Sequence, residues 1–386
     1  MLRKIRIVAA TICFVLITLL FLDVTGTLHL WFGWLARIQF LPAVLALNVG
    51  VILLLVVLTL LFGRIYCSVI CPLGVFQDIV SWLAGKRKKN RFRYSPALSW
   101  LRYGVLVIFI AMLVAGLTAW AALIAPYSAY GRIATNLFAP IYRWGNNLLA
   151  LVAERMDSYA FYSTEVWLKS LPSLIVAAVT LVVIVVLAWR NGRTYCNTIC
   201  PVGTTLGLLS RFSFFRPAID TTKCNGCQSC ARNCKASCID AKNHAIDYSR
   251  CVVCMDCLNR CTQHAIHYVP RTRLPKNEKT AEAKAPAPEA KGNNSRREFL
   301  TLTGVLAGSA LLKAQEMKVD GGLAAIEEKK IPKRATPITP PGSLSASHLA
   351  QHCTACQLCI TNCPNQVLRP SGNLMTFMQP EMSYER

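Results

Sequence analysis

The feature that most constrains the fold is a short stretch that occurs twice, each time directly after a long apolar run. The first copy is GRIYCSVICPLG at residues 63–74, and the second is GRTYCNTICPVG at residues 192–203. Each copy carries two cysteines four positions apart, which a helix places on one face, and a proline that breaks or kinks that helix. The repetition predicts two structural repeats, each with two apolar helices and one cysteine pair.

The composition indicates that these repeats lie in a membrane. The chain is 54% hydrophobic and has a mean hydropathy of +0.39, which a soluble domain of this length rarely reaches. Four apolar runs are long enough to predict transmembrane helices, and they cover residues 5–22, 43–62, 102–124 and 171–189. The segment 125–170 is mixed and rich in Tyr and Trp, so we expect it outside, as an interfacial helix.

The distribution of basic charge sets the predicted topology. The formal net charge is +23, and much of it lies beside the apolar runs, at Arg3, Lys4 and Arg6 and in residues 86–93. We interpret this as the positive-inside pattern of a membrane protein, not as a surface for nucleic acid. It predicts that both ends of the four-helix unit, residues 1–212, are cytoplasmic.

Two tandem cysteine motifs predict a cytoplasmic ferredoxin-like domain at residues 213–270. Both CNGCQSCARNC and CVVCMDCLNRC have the spacing C-x2-C-x2-C-x3-C. In that spacing three thiolates hold one [4Fe–4S] cube and the fourth cysteine crosses to the other cube. Paired zinc sites are the alternative, but zinc does not require the third cysteine step. The expected ligand sets are Cys224, Cys227, Cys230 and Cys261 for cluster 1, and Cys251, Cys254, Cys257 and Cys234 for cluster 2.

These motifs depart from the usual form at three positions. Lys235 and Thr262 stand where a proline usually follows the fourth cysteine. Cys238 is an additional cysteine, which either competes with Cys234 as a ligand or is a buried thiol. We favour the buried thiol.

A third motif, CTACQLCITNCP, predicts a further [4Fe–4S] site with incomplete ligation at Cys353, Cys356, Cys359 and Cys363. No cysteine follows Pro364, so the partner motif is missing. Either this cluster closes by another route or the chain stops inside a larger ferredoxin domain. We favour the second explanation.

The cysteines of the repeated YCxxxCP motif are candidates for a redox or metal site. The four thiols could hold a metal, a cluster or two redox disulfides, and the alternative is that they are small residues at a helix packing face. Duplication at the same offset favours the functional reading for Cys67, Cys71, Cys196 and Cys200. The lone Cys13 in the first apolar run is expected to be a core residue.

Several cofactor-binding motifs are missing from the sequence, and this limits which cofactors we expect. The sequence has no C-x-x-C-H, no Rossmann glycine fingerprint and no P-loop, so we expect neither haem nor flavin. Only His29 among the histidines lies near an apolar run, where it either contacts a quinone head group or is an ordinary interfacial histidine, and we favour the latter.

An export signal is predicted inside the chain. In NSRREFLTLTGVLAGSALL, Ser295, Arg296 and Arg297 precede an apolar run at 299–312. That run is shorter than the ~30 Å hydrocarbon core requires at ~1.5 Å per residue. It therefore favours a twin-arginine signal or anchor over a chance arginine pair before an ordinary helix. Because clusters are inserted in the cytoplasm, a domain bound for the periplasm must cross folded.

The predicted fold class is an α-helical membrane protein with four transmembrane helices in two repeats. It carries a small α+β ferredoxin-like 2[4Fe–4S] domain and a partial second ferredoxin domain. Beyond residue 270 we expect a flexible linker at 271–294, the signal or anchor at 295–314, a linker at 315–345 and the partial, periplasmic domain at 346–386.

Residues 1–270 resemble the NapH type of membrane quinol dehydrogenase subunit, on the four spans, the CxxxCP pair and the tandem cluster motifs. Residues 295–386 resemble the beginning of NapG, its exported ferredoxin partner. Polyferredoxins of nitrous-oxide-reductase and oxidase-maturation systems share the CxxxCP pairs. The resemblance implies a quinol dehydrogenase component of the bacterial inner membrane. Its partners would be membrane lipid, the quinol pool, and a periplasmic reductase, ferredoxin or cytochrome.

The leading hypothesis is therefore a membrane-bound iron–sulfur protein that passes electrons from menaquinol to a periplasmic reductase. A copper reductase or maturation factor is the alternative, because soft thiolate pairs suit Cu(I). A redox-sensing membrane ferredoxin is the third, although the sequence shows no output domain. The leading hypothesis leaves one difficulty, which is how electrons cross about one bilayer between the two cluster regions.

Overall fold

The structure is a computed structural model that describes residues 2–23, 26–87, 92–156, 163–164, 166, 170–273, 319–320, 324–325, 338–340, 343–363, 365 and 367–383. The predicted twin-arginine stretch lies outside these residues, as do most of the two predicted linkers. The first half of the chain is helical. Its helices are α1 (Leu2–Leu22), α2 (Thr27–Phe32), α3 (Trp34–Arg37), α4 (Phe40–Leu45), α5 (Val49–Phe62), α6 (Ile65–Val69), α7 (Pro72–Arg87), α8 (Ser99–Val114), α9 (Thr118–Ile124), α10 (Pro126–Ile133), a π-helix (Ala134–Phe138) and α11 (Ala139–Glu154).

The second half begins with helices and continues with short strands and helices around the cysteine motifs. Its elements are α12 (Leu171–Asn191), α13 (Thr194–Thr198), α14 (Pro201–Ser210), β1 (Phe215–Ile219), α15 (Ser229–Arg232), β2 (Ile239–Asp240), β3 (Ala245–Ile246), α16 (Asp256–Arg260), β4 (Ile266–Pro270), a 3-10 turn (Arg271–Arg273), β5 (Val319–Asp320), β6 (Ala324–Ala325), α17 (Ala346–His352), α18 (Leu358–Thr361), β7 (Leu368–Pro370) and β8 (Pro380–Met382).

The two copies of the repeated stretch fold in the same way. An apolar helix, α5 or α12, ends at a glycine with positive φ, Gly63 at 77° or Gly192 at 71°. Glycine adopts this conformation without the steric cost that a Cβ would bring. A short helix follows, α6 with Cys67 or α13 with Cys196, and it ends before the second cysteine. The two cysteines of a pair therefore do not lie on one face of a single helix, as the spacing predicted, because Cys71 and Cys200 lie in the break between two helices. Pro72 or Pro201 begins the next helix, where proline is favoured because its missing N–H is not needed.

Two of the described helices, α1 and α12, are long and apolar enough to cross a membrane, and each has 21 residues. The other two predicted spans are shorter helices, because α5 has 14 residues and α8 has 16. The run 43–62 is interrupted at Leu47, which has φ 50°, and the run 102–124 at Gly116, which has φ 75°. These left-handed residues end one helix before the next begins, so four complete spans stay a prediction.

Residues 125–135 are buried in the bundle, although we expected the segment 125–170 to lie outside, as an interfacial helix. Every residue of α10 is buried, and this helix packs against α7 and α12. The ring of Tyr127 contacts Phe21 of α1 at 5.8 Å between centroids. The small residues Ala129 and Gly131 permit this close packing. The amphipathic helix α11 follows, with Trp144 and Leu148 exposed.

The cysteine-rich segments pack at opposite ends of α12. The unit at 215–270 is closed by antiparallel pairing of β1 with β4, from Phe215↔Pro270 to Ile219↔Ile266, and contains the short β2–β3 pair. It contacts the C-terminal end of α12, where the Arg193 N–H donates to the carbonyl of Lys235 at 2.9 Å. The unit at 346–382 contains the β7–β8 pair and contacts the N-terminal end, where Gln357 donates to Ser173 at 2.8 Å.

Candidate functional site

The first set of predicted cluster ligands lines one cavity. Its sulfur-bearing residues are Cys224, Cys227, Cys230 and Cys261, and Ile219, Ala265 and Ile266 form part of the apolar wall. Burial, together with the charges of the other three cysteines, raises the pKa of Cys230 to about 11. Three cysteines of one motif thus meet the last cysteine of the other, in the arrangement that a crossed [4Fe–4S] site requires. The donor set fits the cluster, while the ligation itself stays a prediction.

The second set lines a separate cavity and includes the additional cysteine. Cys234 joins Cys251, Cys254 and Cys257 there, as the crossing rule expects. Cys238 lines the same cavity, is 1% exposed, and has its Sγ 3.5 Å from that of Cys234. A hydrogen bond from Cys238, and further bonds from backbone N–H groups, lower the pKa of the Cys234 thiol despite its burial. Cys238 is thus buried, as expected, but it adjoins a predicted ligand.

All three cysteine motifs share an unusual backbone that sequence reasoning missed. The residue after the second cysteine is left-handed in each, with φ 59° at Gln228, 62° at Met255 and 65° at Gln357. The residue before that cysteine is also left-handed, with φ 71° at Gly226, 52° at Val253 and 47° at Ala355. Positive φ is rare away from glycine. The third motif therefore has the loop geometry of the two that form cavities.

The third motif is anchored on the buried segment of the bundle. Its Cys356 carbonyl would lie 2.4 Å from a Cβ at Gly131, so only glycine fits there. Gln357 is 2% exposed and accepts from Asn136 Nδ2 at 2.8 Å. Burial and the charge of Cys356 raise the pKa of Cys353 to about 12. Burial and the charges of Cys356 and Cys353 also raise the pKa of Cys359. Ligation by Cys363 stays a prediction.

The four CxxxCP cysteines converge in the core, where each is 3% exposed and belongs to one continuous cluster of buried residues. The two repeats exchange arginines at this point. Arg64 of the first repeat donates to the Cys196 carbonyl at 3.0 Å, and Arg193 of the second donates to the Cys67 carbonyl. In this thiol quartet, the second cysteine of each pair, Cys71 or Cys200, immediately precedes the proline that begins α7 or α14.

The glycine of each CPxG sequence leaves space for the arginine exchange. A Cβ at Gly203 would lie 2.2 Å from the Cys196 carbonyl oxygen and 2.7 Å from Arg64 Nη2. A Cβ at Gly74 would lie 2.3 Å from the Cys67 carbonyl oxygen and 3.0 Å from Arg193 Nη1. The functional motif therefore extends from the leading arginine to the final glycine. Both residues are repeated in the two copies of GRxYCxxxCPxG, so the sequence already indicated that they belong to the motif.

A buried charge network joins the quartet to the first ferredoxin-type unit. Asp78 on α7 lies 2.8 Å from Arg193 Nη2, 3.0 Å from Arg6 Nη1 and 3.6 Å from Lys235 Nζ. Burial would raise the pKa of the Asp78 carboxyl, but these cations outweigh it and hold the pKa well below its usual range. Lys235 also contacts Asp256 at 2.9 Å. The departure from proline at position 235 thus supplies a docking contact.

His29 lies at the other end of the bundle, beside the third motif. Its backbone N–H donates to Asp23 Oδ2 at 3.1 Å, and its ring Nδ1 is 3.3 Å from Asn362 Nδ2. Exposed Trp31 and Trp34 follow it in the chain. This arrangement suits an interfacial position and leaves a quinone contact as a prediction.

Within the part of the chain that the structure describes, no three His, Cys, Asp or Glu side chains form a site for a single metal ion. Around one zinc ion the sulfurs lie within about 4 Å of each other, because each Zn–S bond is about 2.3 Å.

Comparison with known proteins supports iron–sulfur chemistry. A family described as a 4Fe-4S binding domain matches residues 44–90 and 172–220, which are corresponding parts of the two repeats. The only cysteines in these ranges are Cys67, Cys71, Cys196 and Cys200. No solved structure matches the chain.

Three curated relatives are similar to the chain over about half of its length. "Ferredoxin-type protein NapH" of Haemophilus influenzae is 28% identical over 197 residues, which are 50% of this chain and 55% of that protein. "Methylamine utilization ferredoxin-type protein MauN" of Paracoccus denitrificans is 27% identical over 189 residues, 48% of this chain and 53% of that protein. "Regulatory protein NosR" of Stutzerimonas stutzeri is 25% identical over 189 residues, 48% and 22% of the respective lengths.

The chain spans about half the length of the two ferredoxin-type relatives. It is thus similar to NapH-type ferredoxin proteins and contains a 4Fe-4S binding domain, which supports electron transfer through iron–sulfur clusters.

Proposed function

We propose that this protein transfers electrons from membrane quinol, through iron–sulfur centres at the two ends of its helix bundle, to a periplasmic reductase. The single observation that carries the proposal is the placement of cysteine motifs with one shared backbone geometry at opposite ends of α12. A bound [4Fe–4S] cluster supplies one-electron steps, which divide the two-electron oxidation of a quinol.

In the proposed topology α1, α5, α8 and α12 cross the membrane in alternating directions. Arg3 at the start of α1 contacts Asp256 of the first ferredoxin-type unit, and Arg102 near the start of α8 contacts Ser249 of that unit. The C-terminal end of α5 reaches the same unit, since Phe62 accepts from Tyr268. By the positive-inside rule this end is cytoplasmic. The third motif then lies on the periplasmic side.

Residues at both ends of the helix bundle have properties that suit electron transfer from quinol. The apolar walls of the two cavities, including Ile219 and Val252, exclude water from the cysteines. Backbone N–H groups of Ala236 and Ser237 donate to the Cys234 sulfur, and such hydrogen bonds stabilise a ligating thiolate. His29, beside Asn362, is the proposed contact for the quinol head group, because it combines a titratable ring with an interfacial position.

A second candidate is a metal reductase or maturation factor, and one observation favours it. Four buried thiols in one core cluster provide the soft ligands that Cu(I) prefers. A copper-handling protein would bind Cu(I) at the quartet in stoichiometric amount, and would not need quinol to reduce its ferredoxin-type clusters.

The test uses the full chain, purified anaerobically in detergent. Iron and acid-labile sulfide are counted, and EPR spectra are recorded before and after addition of a menaquinol analogue. Reduction of [4Fe–4S] signals by the quinol is the expected result, and the His29→Ala variant should slow it while leaving the iron content unchanged. Clusters that remain oxidised with quinol, yet are reduced by dithionite, would exclude the quinol step and favour the second candidate.

A further inference from the structure

We propose that Cys67, Cys71, Cys196 and Cys200 hold an additional iron–sulfur cluster inside the helix bundle, between the first ferredoxin-type unit and the third motif. The binding of a cluster by these four cysteines does not depend on the proposed function. Only the role of that cluster as an electron relay rests on the proposed function.

The quartet has the burial and proximity that a cluster site needs. All four cysteines belong to the same buried core and come from equivalent positions of the two repeats. Each of the four is 3% exposed. Four thiols buried in one core cluster are poor hydrogen-bonding groups, and packing alone does not require them.

Arg64 supplies an independent indication that this site binds an anion. The residue is fully buried, and its guanidinium donates to neutral oxygens of Asn197, Ser249 and Cys196 and to the sulfur of Cys67. Among the residues the structure describes, it forms no ion pair with a carboxylate. Its Nη2 also lies 3.9 Å from Cys67 Sγ. A buried cation without a counter-charge is costly, by several kcal/mol in general.

A second buried guanidinium makes the same region more positive. Arg102 is 2% exposed and donates to the Ser249 carbonyl at 2.8 Å, the same oxygen that accepts from Arg64 at 3.1 Å. Two like charges that share one acceptor repel each other. The Asp247 carboxylate lies within electrostatic range of Arg102 and compensates part of this charge. An iron–sulfur cluster held by four thiolates carries net negative charge, so it would compensate Arg64.

The donor set and the family comparison favour a cluster over a single ion. Among the described residues, no group of His, Cys, Asp or Glu side chains is arranged for one metal ion, in the quartet or in the ferredoxin-type sets. In a polynuclear cluster each thiolate can bind a different iron, so the sulfurs need not meet. The 4Fe-4S binding domain family also matches the ranges that contain the quartet and not the ranges of the tandem motifs.

The quartet lies on a continuous path between the two ends of the bundle. Tyr195, next to Cys196, donates from its hydroxyl to the Ile124 carbonyl at 2.6 Å. Arg132 donates to the adjacent carbonyls of Ala122 and Leu123 and lies within electrostatic range of both Tyr195 and Cys356. The segment 118–138 thus connects the quartet directly to the third motif.

This path addresses the long gap between the two cluster regions. The 21 residues of α12 span about 30 Å at about 1.5 Å per residue, which is too far for one efficient tunnelling step. A centre at the quartet would divide that distance. The step is a one-electron transfer from a reduced ferredoxin-type cluster at one end to an oxidised one at the other, and no covalent bond forms or breaks.

The first test removes two ligands from the full chain, in the Cys71→Ser/Cys200→Ser double variant, with Cys13→Ser in α1 as the matched control. Purified under anaerobic conditions, the double variant should contain less iron and less acid-labile sulfide, in equal amounts, than the wild type or the control. Its dithionite-reduced EPR spectrum should lack one component. Unchanged iron and sulfide, or a disulfide within Cys67–Cys71 or Cys196–Cys200 found by mass spectrometry, would overturn the proposal.

The second test does not depend on folding of the cysteine variant. Removing the positive charge in Arg64→Gln should shift one EPR-detected centre to a lower midpoint potential, because the reduced cluster is the more negative form. Arg64→Lys should restore most of the wild-type potential, and the exposed control Arg190→Gln should change none. Identical potentials for every centre in the Arg64→Gln variant would contradict the site. Because dithionite is the reductant, failure of the quinol step does not affect either result.

Discussion

Lys235 Nζ lies 3.6 Å from Asp78 Oδ1, and this contact joins the first ferredoxin-type unit to the helix bundle. The lysine occupies the position at which a proline usually follows the fourth cysteine of such motifs. Its backbone carbonyl also accepts from the Arg193 N–H, and a Cβ at Gly192 would lie 2.6 Å from that oxygen. A departure from the motif therefore coincides with the point at which the two parts of the protein dock.

The Asp78→Asn variant tests this network. It leaves Arg193, Arg6 and Lys235 without their shared carboxylate, so the free energy of unfolding should fall by about 3–5 kcal/mol, as when one partner of a buried ion pair is removed. Chemical unfolding in detergent, followed by cluster absorbance, measures the change. The control is Glu381→Gln, an exposed carboxylate on β8, which should have little effect. Equal stability of the two variants would contradict the role assigned to Asp78.

Crossed ligation predicts the outcome of two serine substitutions. Cys261→Ser should remove the cluster whose other ligands are in the first motif, and Cys234→Ser should remove the one whose other ligands are in the second. Each variant should lose about four iron atoms per chain, with a different EPR component missing.

Cys238→Ser is the control for that pair, because it alters a thiol in the second cavity that the crossing rule does not require. It should retain full iron content. If it lost a cluster and Cys234→Ser did not, the fourth ligand would be Cys238.

Gln357 should determine how firmly the third motif is held. Gln357→Ala removes the hydrogen bonds to Ser173 and from Asn136, leaving buried polar groups unpaired at a cost of about 1–3 kcal/mol. Faster hydrogen exchange in residues 346–363 than in the wild type is the expected result. Gln351→Ala, an exposed glutamine on α17, should exchange at the wild-type rate. Matching rates in both variants would show that Gln357 does not anchor the motif.

The arginine exchange between repeats predicts intolerance of a single methyl group. Gly203→Ala places a Cβ against the Cys196 carbonyl oxygen and Arg64 Nη2, so one of them must move, and the thermal unfolding temperature should fall. Gly145→Ala is the matched control on helix α11, where nothing lies within 4 Å, and it should be neutral or slightly stabilising. An unfolding temperature of Gly203→Ala at or above that of the control would argue against the close exchange.

Much of the candidate site followed from local spacing. The C-x2-C-x2-C-x3-C motifs predicted which cysteines meet in each cavity, because the crossing pattern is a property of the motif itself. The repeat predicted that α5 and α12 would end in the same way, since Gly63 and Gly192 occupy equivalent positions. The apolar runs predicted helices, although left-handed residues at Leu47 and Gly116 divide two of the runs.

The sequence by itself therefore determined the repeats, the cysteine sets and the apolar helices, because each depends on spacing within a short stretch. Only the tertiary structure decided that residues 125–135 are buried between the quartet and the third motif, that Arg64 and Arg193 cross between the repeats, and that Lys235 docks on Asp78. These contacts join residues more than one hundred positions apart. Their partners are selected by packing and by pairing of buried charges, which no local pattern encodes.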